Sequence, residues 1–142
     1  MNTSNLESPF KELVQAAVQA KNRAYCPYSN FHVGAAVLTA NDQVVAGVNV
    51  ENVSYGLSVC AERVAIMNAV TQGHKEFQAI AVCCDNKDSF ECPCGACRQI
   101  FAEFGLEMDL YLVKPDCTYK KIQVADLCPM AFTPASLKKD RV

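Results

Sequence analysis

Tryptophan is absent from this chain of 142 residues, and histidine occurs only at His32 and His74. Two isolated histidines with no partner motif nearby are read as ordinary structural side chains. A large excess of charge of one sign is also missing: the net charge is −2, which gives no field to draw the molecule to a phosphate backbone. A surface that threads a nucleic-acid strand needs a basic channel with stacking aromatics, which is not expected of an acidic chain without tryptophan. The densest basic runs, Lys120-Lys121 and Lys138-Lys139, read as a solvated face and a tail. No apolar run approaches the roughly 18 residues of a membrane span. The opening "MNTSNLESPF" has neither the basic nor the apolar region of a secretory signal. The expectation is a cytoplasmic protein without membrane or nucleic-acid partners.

Cysteine is what the chain has in excess, with nine residues, against an apolar content of 51%. That content supports one continuous core, and no repeat, low-complexity tract or linker divides it. Residues 1–142 are expected to form a single domain, with 1–8 and 135–142 as flexible ends. An odd number of thiols without a secretory signal favours reduced cysteines and metal ligands over a disulfide framework.

Local patterns predict the element order. Ser8-Pro9 reads as N-cap and first helical position. Phe10, Leu13, Val14, Ala17 and Val18 follow at helical spacing, giving about fifteen residues that end before Cys26-Pro27. "HVGAAVLT" and "QVVAGVNV" read as a hairpin turned at Ala40-Asn41-Asp42. A second helix is predicted over residues 60–71 with Gly73 as its stop, and a buried strand at "QAIAVCC". A third helix is predicted over 94–104, ending at Gly105. "DLYLV" and "YKKIQV" complete five strands, antiparallel to each other because the turn between them is short. One or two short helices follow. The fold class is α/β: a three-layer α/β/α arrangement around a mixed five-stranded sheet.

Two stretches carry chemistry, "SVCAERVAIM" and "ECPCGACRQI". Each places cysteine at the first turn of a predicted helix, where backbone N–H groups and the helix dipole favour the thiolate. Cys94-x-x-Cys97 lets one helical turn offer two sulfurs to one ion, and Cys60 supplies a third. Three protein ligands leave a fourth tetrahedral position open, which separates a catalytic zinc site from a closed structural one. Glu62, two residues from Cys60, can reach that position without being a ligand and suits proton transfer. A redox C-x-x-C pair and a four-cysteine site that includes Cys92 remain as alternatives by spacing. Cys92, followed by Pro93, is expected to point away from the metal, and Cys83 and Cys84 to lie in the core. Composition alone puts Asn49 and Glu51 at a polar loop end and Phe31 in the core.

"CAE" with "PCGACRQ", preceded by "FHVGAAV" and "NVENVSYGLSVCAER", closely resembles the small homotetrameric cytidine deaminases. The pairing of H-x-E, or its cysteine variant, with P-C-x-x-C is the known mark of zinc deaminases. The resemblance spans residues 10–132 and implies hydrolytic deamination of cytidine and 2′-deoxycytidine in pyrimidine salvage, with one Zn²⁺ per subunit. It makes Cys60, Cys94 and Cys97 the zinc ligands and Glu62 the proton shuttle. It also makes Arg63 a donor to ligand sulfurs, offsetting the charge that three thiolates place on the metal. Asn49 and Glu51 would bind the ribose, Phe31 would pack on the pyrimidine, and the Ala61 backbone would meet the base. Tyr55 and Phe132 would reach neighbouring sites across subunit interfaces of a homotetramer. The sequence departs from the family's pattern at Cys92 and at Cys117, the latter where a turn glycine is usual.

Overall fold

The computed structural model describes residues 1–138 and Asp140. The helices are α1 (Phe10–Ala20), α2 (Ala61–Thr71) and α3 (Gly95–Phe104), and the strands are β1 (Val33–Thr39), β2 (Val44–Val48), β3 (Phe77–Cys84), β4 (Asp109–Val113) and β5 (Tyr119–Gln123). They form one sheet in the order β2-β1-β3-β4-β5. The β3–β4 pair is parallel and the other three pairs are antiparallel, so the mixed sheet and the hairpin match expectation.

Strand alternation sorts the core into two layers. Ala35, Val37, Ile80, Val82, Leu110 and Leu112 face α2 and α3. Ala36, Leu38, Ala79, Ala81, Cys83 and Tyr111 face α1, whose inner stripe is Leu13, Val14 and Ala17. Burial on both faces is why the central strands read as unbroken apolar runs.

Two glycines set how closely the helices sit. A Cβ on Gly34 would lie 2.2 Å from the Ala17 carbonyl oxygen, and one on Gly47 would lie 2.3 Å from the Ala65 nitrogen. Both obstacles are backbone, which cannot swing aside. Gly34→Ala and Gly47→Ala are each expected to cost about 1–3 kcal/mol of stability. Urea unfolding should show a lower midpoint at unchanged slope, and an unchanged midpoint would refute the close fit.

Two local expectations, at Ser8 and at residues 1–8, need correction. Pro9, not Ser8, occupies the cap position of α1, and the Ser8 hydroxyl donates to Glu12 Oε1 at 2.6 Å. The carboxylate one turn on is a charged acceptor, and it takes the hydroxyl as its donor. The helical stretch continues as a 3-10 turn over Lys21–Arg23, still short of Cys26-Pro27. Residues 1–8, expected to be loose, are tied to the sheet. The Met1 ammonium donates to Tyr119 O at 2.8 Å, Tyr119 N donates to Met1 O at 2.7 Å, and Asn2 bridges Thr118. An exposed edge strand offers such unpaired backbone groups to any neighbouring chain segment.

Cys117 adopts a left-handed φ of 68°, a conformation that glycine takes without strain and that gives a physical reason for the glycine usual at this turn. Asp116 supports the turn by accepting from the Thr118 backbone and hydroxyl. The chain closes with 3-10 turns at Val124–Leu127 and Pro134–Lys138. Lys139, Arg141 and Val142, part of the end expected to be flexible, lie outside the described residues. Among the described residues no helix is long and apolar enough to cross a membrane.

Candidate metal centre and active site

One end of the sheet gathers the start of β1 and the ends of β2, β3 and β4, because β1 runs opposite to the other three. Ligand sites in α/β sheets form beyond such strand ends. Loops leaving this end lead into α2 and α3, and each helix begins immediately after a cysteine. Cys60 and Cys94 hold the two N-cap positions with extended backbone. Cys97, one turn into α3, is fully buried.

The three thiols converge. Cys60 Sγ lies 3.8 Å from Cys94 Sγ, and Cys94 Sγ lies 3.6 Å from Cys97 Sγ. Tetrahedral zinc with bonds of about 2.3 Å holds its sulfurs roughly 3.8 Å apart, so the donor set fits that ion in chemistry and in spacing. It is the one group of three or more potential ligands among the described residues. Cys92 is not part of it, which disfavours the four-cysteine alternative, and the third thiol disfavours a simple redox pair.

The thiols differ in acidity. A hydrogen bond from the Cys97 thiol and another from Arg63 bring Cys60 down to about 5. Cys97, the donor to that thiolate, is pushed up correspondingly. Arg63 Nη2 donates to Cys60 Sγ at 3.5 Å, as the resemblance implied. Arg63→Gln removes this charge and is expected to weaken zinc retention or turnover about tenfold. Unchanged zinc content with unchanged activity would remove the role.

Glu62, the second residue of α2, is 5% exposed. Burial pushes its carboxyl pKa up, and the neighbouring Cys60 adds to the rise. It opens onto a cavity of about 300 Å³ whose wall also includes Phe31, Asn49, Glu51, Cys60 and Cys94. That volume lies at the lower end of the roughly 300–1,000 Å³ usual for small-molecule sites. Glu51, Glu62 and Glu91 are the carboxyl groups of the wall, which has no cationic side chain among the described residues.

Asn49 and Glu51 have structural partners as well. Asn49 Oδ1 accepts from Val33 N at 2.9 Å and its Nδ2 donates to Phe31 O at 2.9 Å. Glu51 accepts from Tyr28 N, Ser29 N and the Ser29 hydroxyl. Each keeps capacity toward the cavity, because a carboxylate offers about four acceptor sites and an amide two donors. Ala61 is fully buried at the start of α2. Tyr55 and Phe132 are not brought into this cavity. They are 73% and 59% exposed, with the Tyr55 ring in tilted contact with Tyr28 and the Phe132 carbonyl accepting from Gln99.

Sequence reasoning missed part of the wall. Cys84, assigned to the core, is buried but also lines the cavity with Val82 and Val113, while the exposed Cys92 and Glu91 line it from the loop before α3. The usable signal was topological, since Cys84 and Val113 are the last residues of the two parallel strands.

Three soft ligands, a buried carboxylate beside them and a small-molecule cavity define a zinc-dependent hydrolytic enzyme. Comparison with known proteins agrees. The family described as "Cytidine and deoxycytidylate deaminase zinc-binding region" matches residues 8–113, and the chain belongs to that family. It is 45% identical over 137 residues to a probable cytidine deaminase of Dictyostelium discoideum, covering 96% of this chain and 90% of that protein. It is 45% identical over 122 residues to a cytidine deaminase of Halalkalibacterium halodurans, covering 85% of this chain and 92% of that one. The crystal structure of cytidine deaminase from Burkholderia pseudomallei superposes with a TM-score of 0.81 at 43% identity, over 85% of this chain and 97% of the other.

Proposed function

We propose that this protein is a zinc-dependent cytidine deaminase that converts cytidine and 2′-deoxycytidine to uridine and 2′-deoxyuridine with release of ammonia, in pyrimidine salvage in the cytoplasm. The observation that carries the reading is Glu62, a buried carboxylate on the same cavity wall as Cys60 and Cys94 of the three-thiol cluster. A structural zinc site has no use for such a group.

Cys60, Cys94 and Cys97 hold the metal, which when bound lowers the pKa of water and so supplies a nucleophile at neutral pH. Glu62 does the proton work. It takes a proton from the attacking water and gives it to N3 of the base as the C4–O bond forms, then takes the remaining proton of the new C4 hydroxyl and delivers it to the exocyclic amine as the C4 carbonyl forms. The C4–N bond breaks, ammonia leaves and the pyrimidinone remains. Phe31 packs on the base, the Ala61 backbone meets its edge, and Asn49 and Glu51 bind the ribose. A wall with three carboxyl groups and no cationic side chain supports an uncharged nucleoside as substrate, since it offers a phosphate dianion no Lys or Arg partner.

Self-association as a homotetramer fits the same reading, with Tyr55 and Phe132 reaching neighbouring sites. Exposed Val53, Leu57 and Met67 support it. Loss of cytidine absorbance with matching ammonia release, abolished by chelation and restored by Zn²⁺, tests the function. Zinc-loaded oligomer that leaves cytidine untouched would refute it.

A further inference from the structure

The segment entering β1 has an unusual set of partners. Phe31 N donates to the Ser29 hydroxyl, itself held by Glu51. His32 N donates to Asp85 Oδ2 at 2.7 Å. Val33 N donates to Asn49 Oδ1, and Phe31 O accepts from Asn49 Nδ2. Four backbone groups within three consecutive residues, Phe31 to Val33, are therefore satisfied by side chains. Just upstream, Asn30 has a left-handed φ of 55°, which bends the chain into this path. Ordinary strand pairing does not dictate the direction of Phe31; these side chains do.

Asn49 and Glu51 belong to the cavity wall, whereas Asp85 does not. Asp85 follows the last residue of β3 and joins three elements. Its Oδ1 meets Lys21 Nζ at 2.7 Å beyond the end of α1, and its Oδ2 meets both His32 N and His32 Nδ1, the latter at 2.9 Å. The Lys21 side chain is 16% exposed, so this pair is better shielded from solvent than a surface ion pair. Against the cost of burial, these donors hold the Asp85 carboxyl at about 2, which keeps it charged.

We propose that Asp85, anchored by Lys21, is a positioning residue for substrate binding: it fixes the backbone at His32 and thereby aims Phe31 into the nucleoside cavity. This rests on the reading of the cavity as a nucleoside site. Asp85 touches neither substrate nor metal ligands, so its removal acts on KM through Phe31 and spares the proton transfers of Glu62.

The test compares Asp85→Ala, Asp85→Asn and Lys21→Met with the wild type by steady-state kinetics on cytidine, with zinc content measured on each. Asp85→Ala is expected to raise KM about tenfold while kcat stays within about twofold and zinc is unchanged. Asp85→Asn can still accept from His32 but loses its charge toward Lys21, and Lys21→Met removes the anchor, so each should raise KM about threefold. In a Phe31→Ala background, Asp85→Ala should add less than about twofold, because the two changes share one pathway.

An unchanged KM in folded, zinc-loaded Asp85→Ala overturns the proposal, as does full multiplication of the two effects or a fall of kcat in step with zinc. Should Asp85→Ala not fold, an unchanged KM in Asp85→Asn is equally decisive. A wild type that neither binds nor deaminates cytidine overturns the nucleoside reading itself, and with it this inference. A wild type that does both, with insensitive Asp85 variants, removes this inference alone.

Discussion

Replacing Glu62 with glutamine is expected to lower kcat by about 10²–10⁴-fold, the range that positioned proton transfer contributes. KM should stay within a few-fold and zinc content should not change. Glutamine has nearly the same shape and still hydrogen-bonds, but it cannot carry a proton from water to the base and on to the amine. The side chain is buried at the start of α2, so bulk solvent is poorly placed to substitute for it. Turnover at the wild-type rate, in a preparation shown free of wild-type protein, would end the assignment.

Loss of a ligand should be nearly as severe. Zinc held by four ligands in small structural sites is bound by about 10–16 kcal/mol, so one ligand carries roughly 3 kcal/mol, or about 10²-fold in affinity. Cys97→Ala and Cys94→Ala should both fall in zinc affinity by at least that factor and lose activity unless zinc is added in excess. The pair separates metal binding from packing. Cys97 is fully buried with Ile66 and Phe101, whereas Cys94 is exposed. Cys97→Ala should therefore also lower the stability of the zinc-free protein by about 1 kcal/mol, and Cys94→Ala should not. Full zinc occupancy and normal turnover in either variant would exclude that sulfur as a ligand.

The sheet and helices were legible because their signals are local. Apolar runs in β1, β3 and β4 reflect burial on both faces, Gly73 and Gly105 stop two helices, and Cys60 and Cys94 fall where helices begin. The metal centre was legible for the same reason, since C-x-x-C is fixed by one helical turn. What the sequence hid depends on distant partners. Nothing near Ser8 indicates that its hydroxyl turns to Glu12, and nothing near Met1 indicates a partner at Tyr119, 118 residues away. The His32–Asp85–Lys21 cluster joins positions 53 and 64 residues apart, so His32 read as isolated. Cys84 looked like core because burial and cavity lining place the same demand on a strand end. Tyr55 and Phe132 point outward in a single chain, and only the family resemblance gave them a role.

The glycine contacts that seat α1 and α2 on the sheet also decide where the molecule can open. Helices slide past their neighbours on an intervening layer of side chains, and at Gly34 and Gly47 that layer is missing, with backbone resting on backbone. The frame behind the cavity is accordingly stiff. Adjustment to an entering small molecule is therefore left to the loop of residues 86–93, while Phe31, the thiols and Glu62 stay fixed in place.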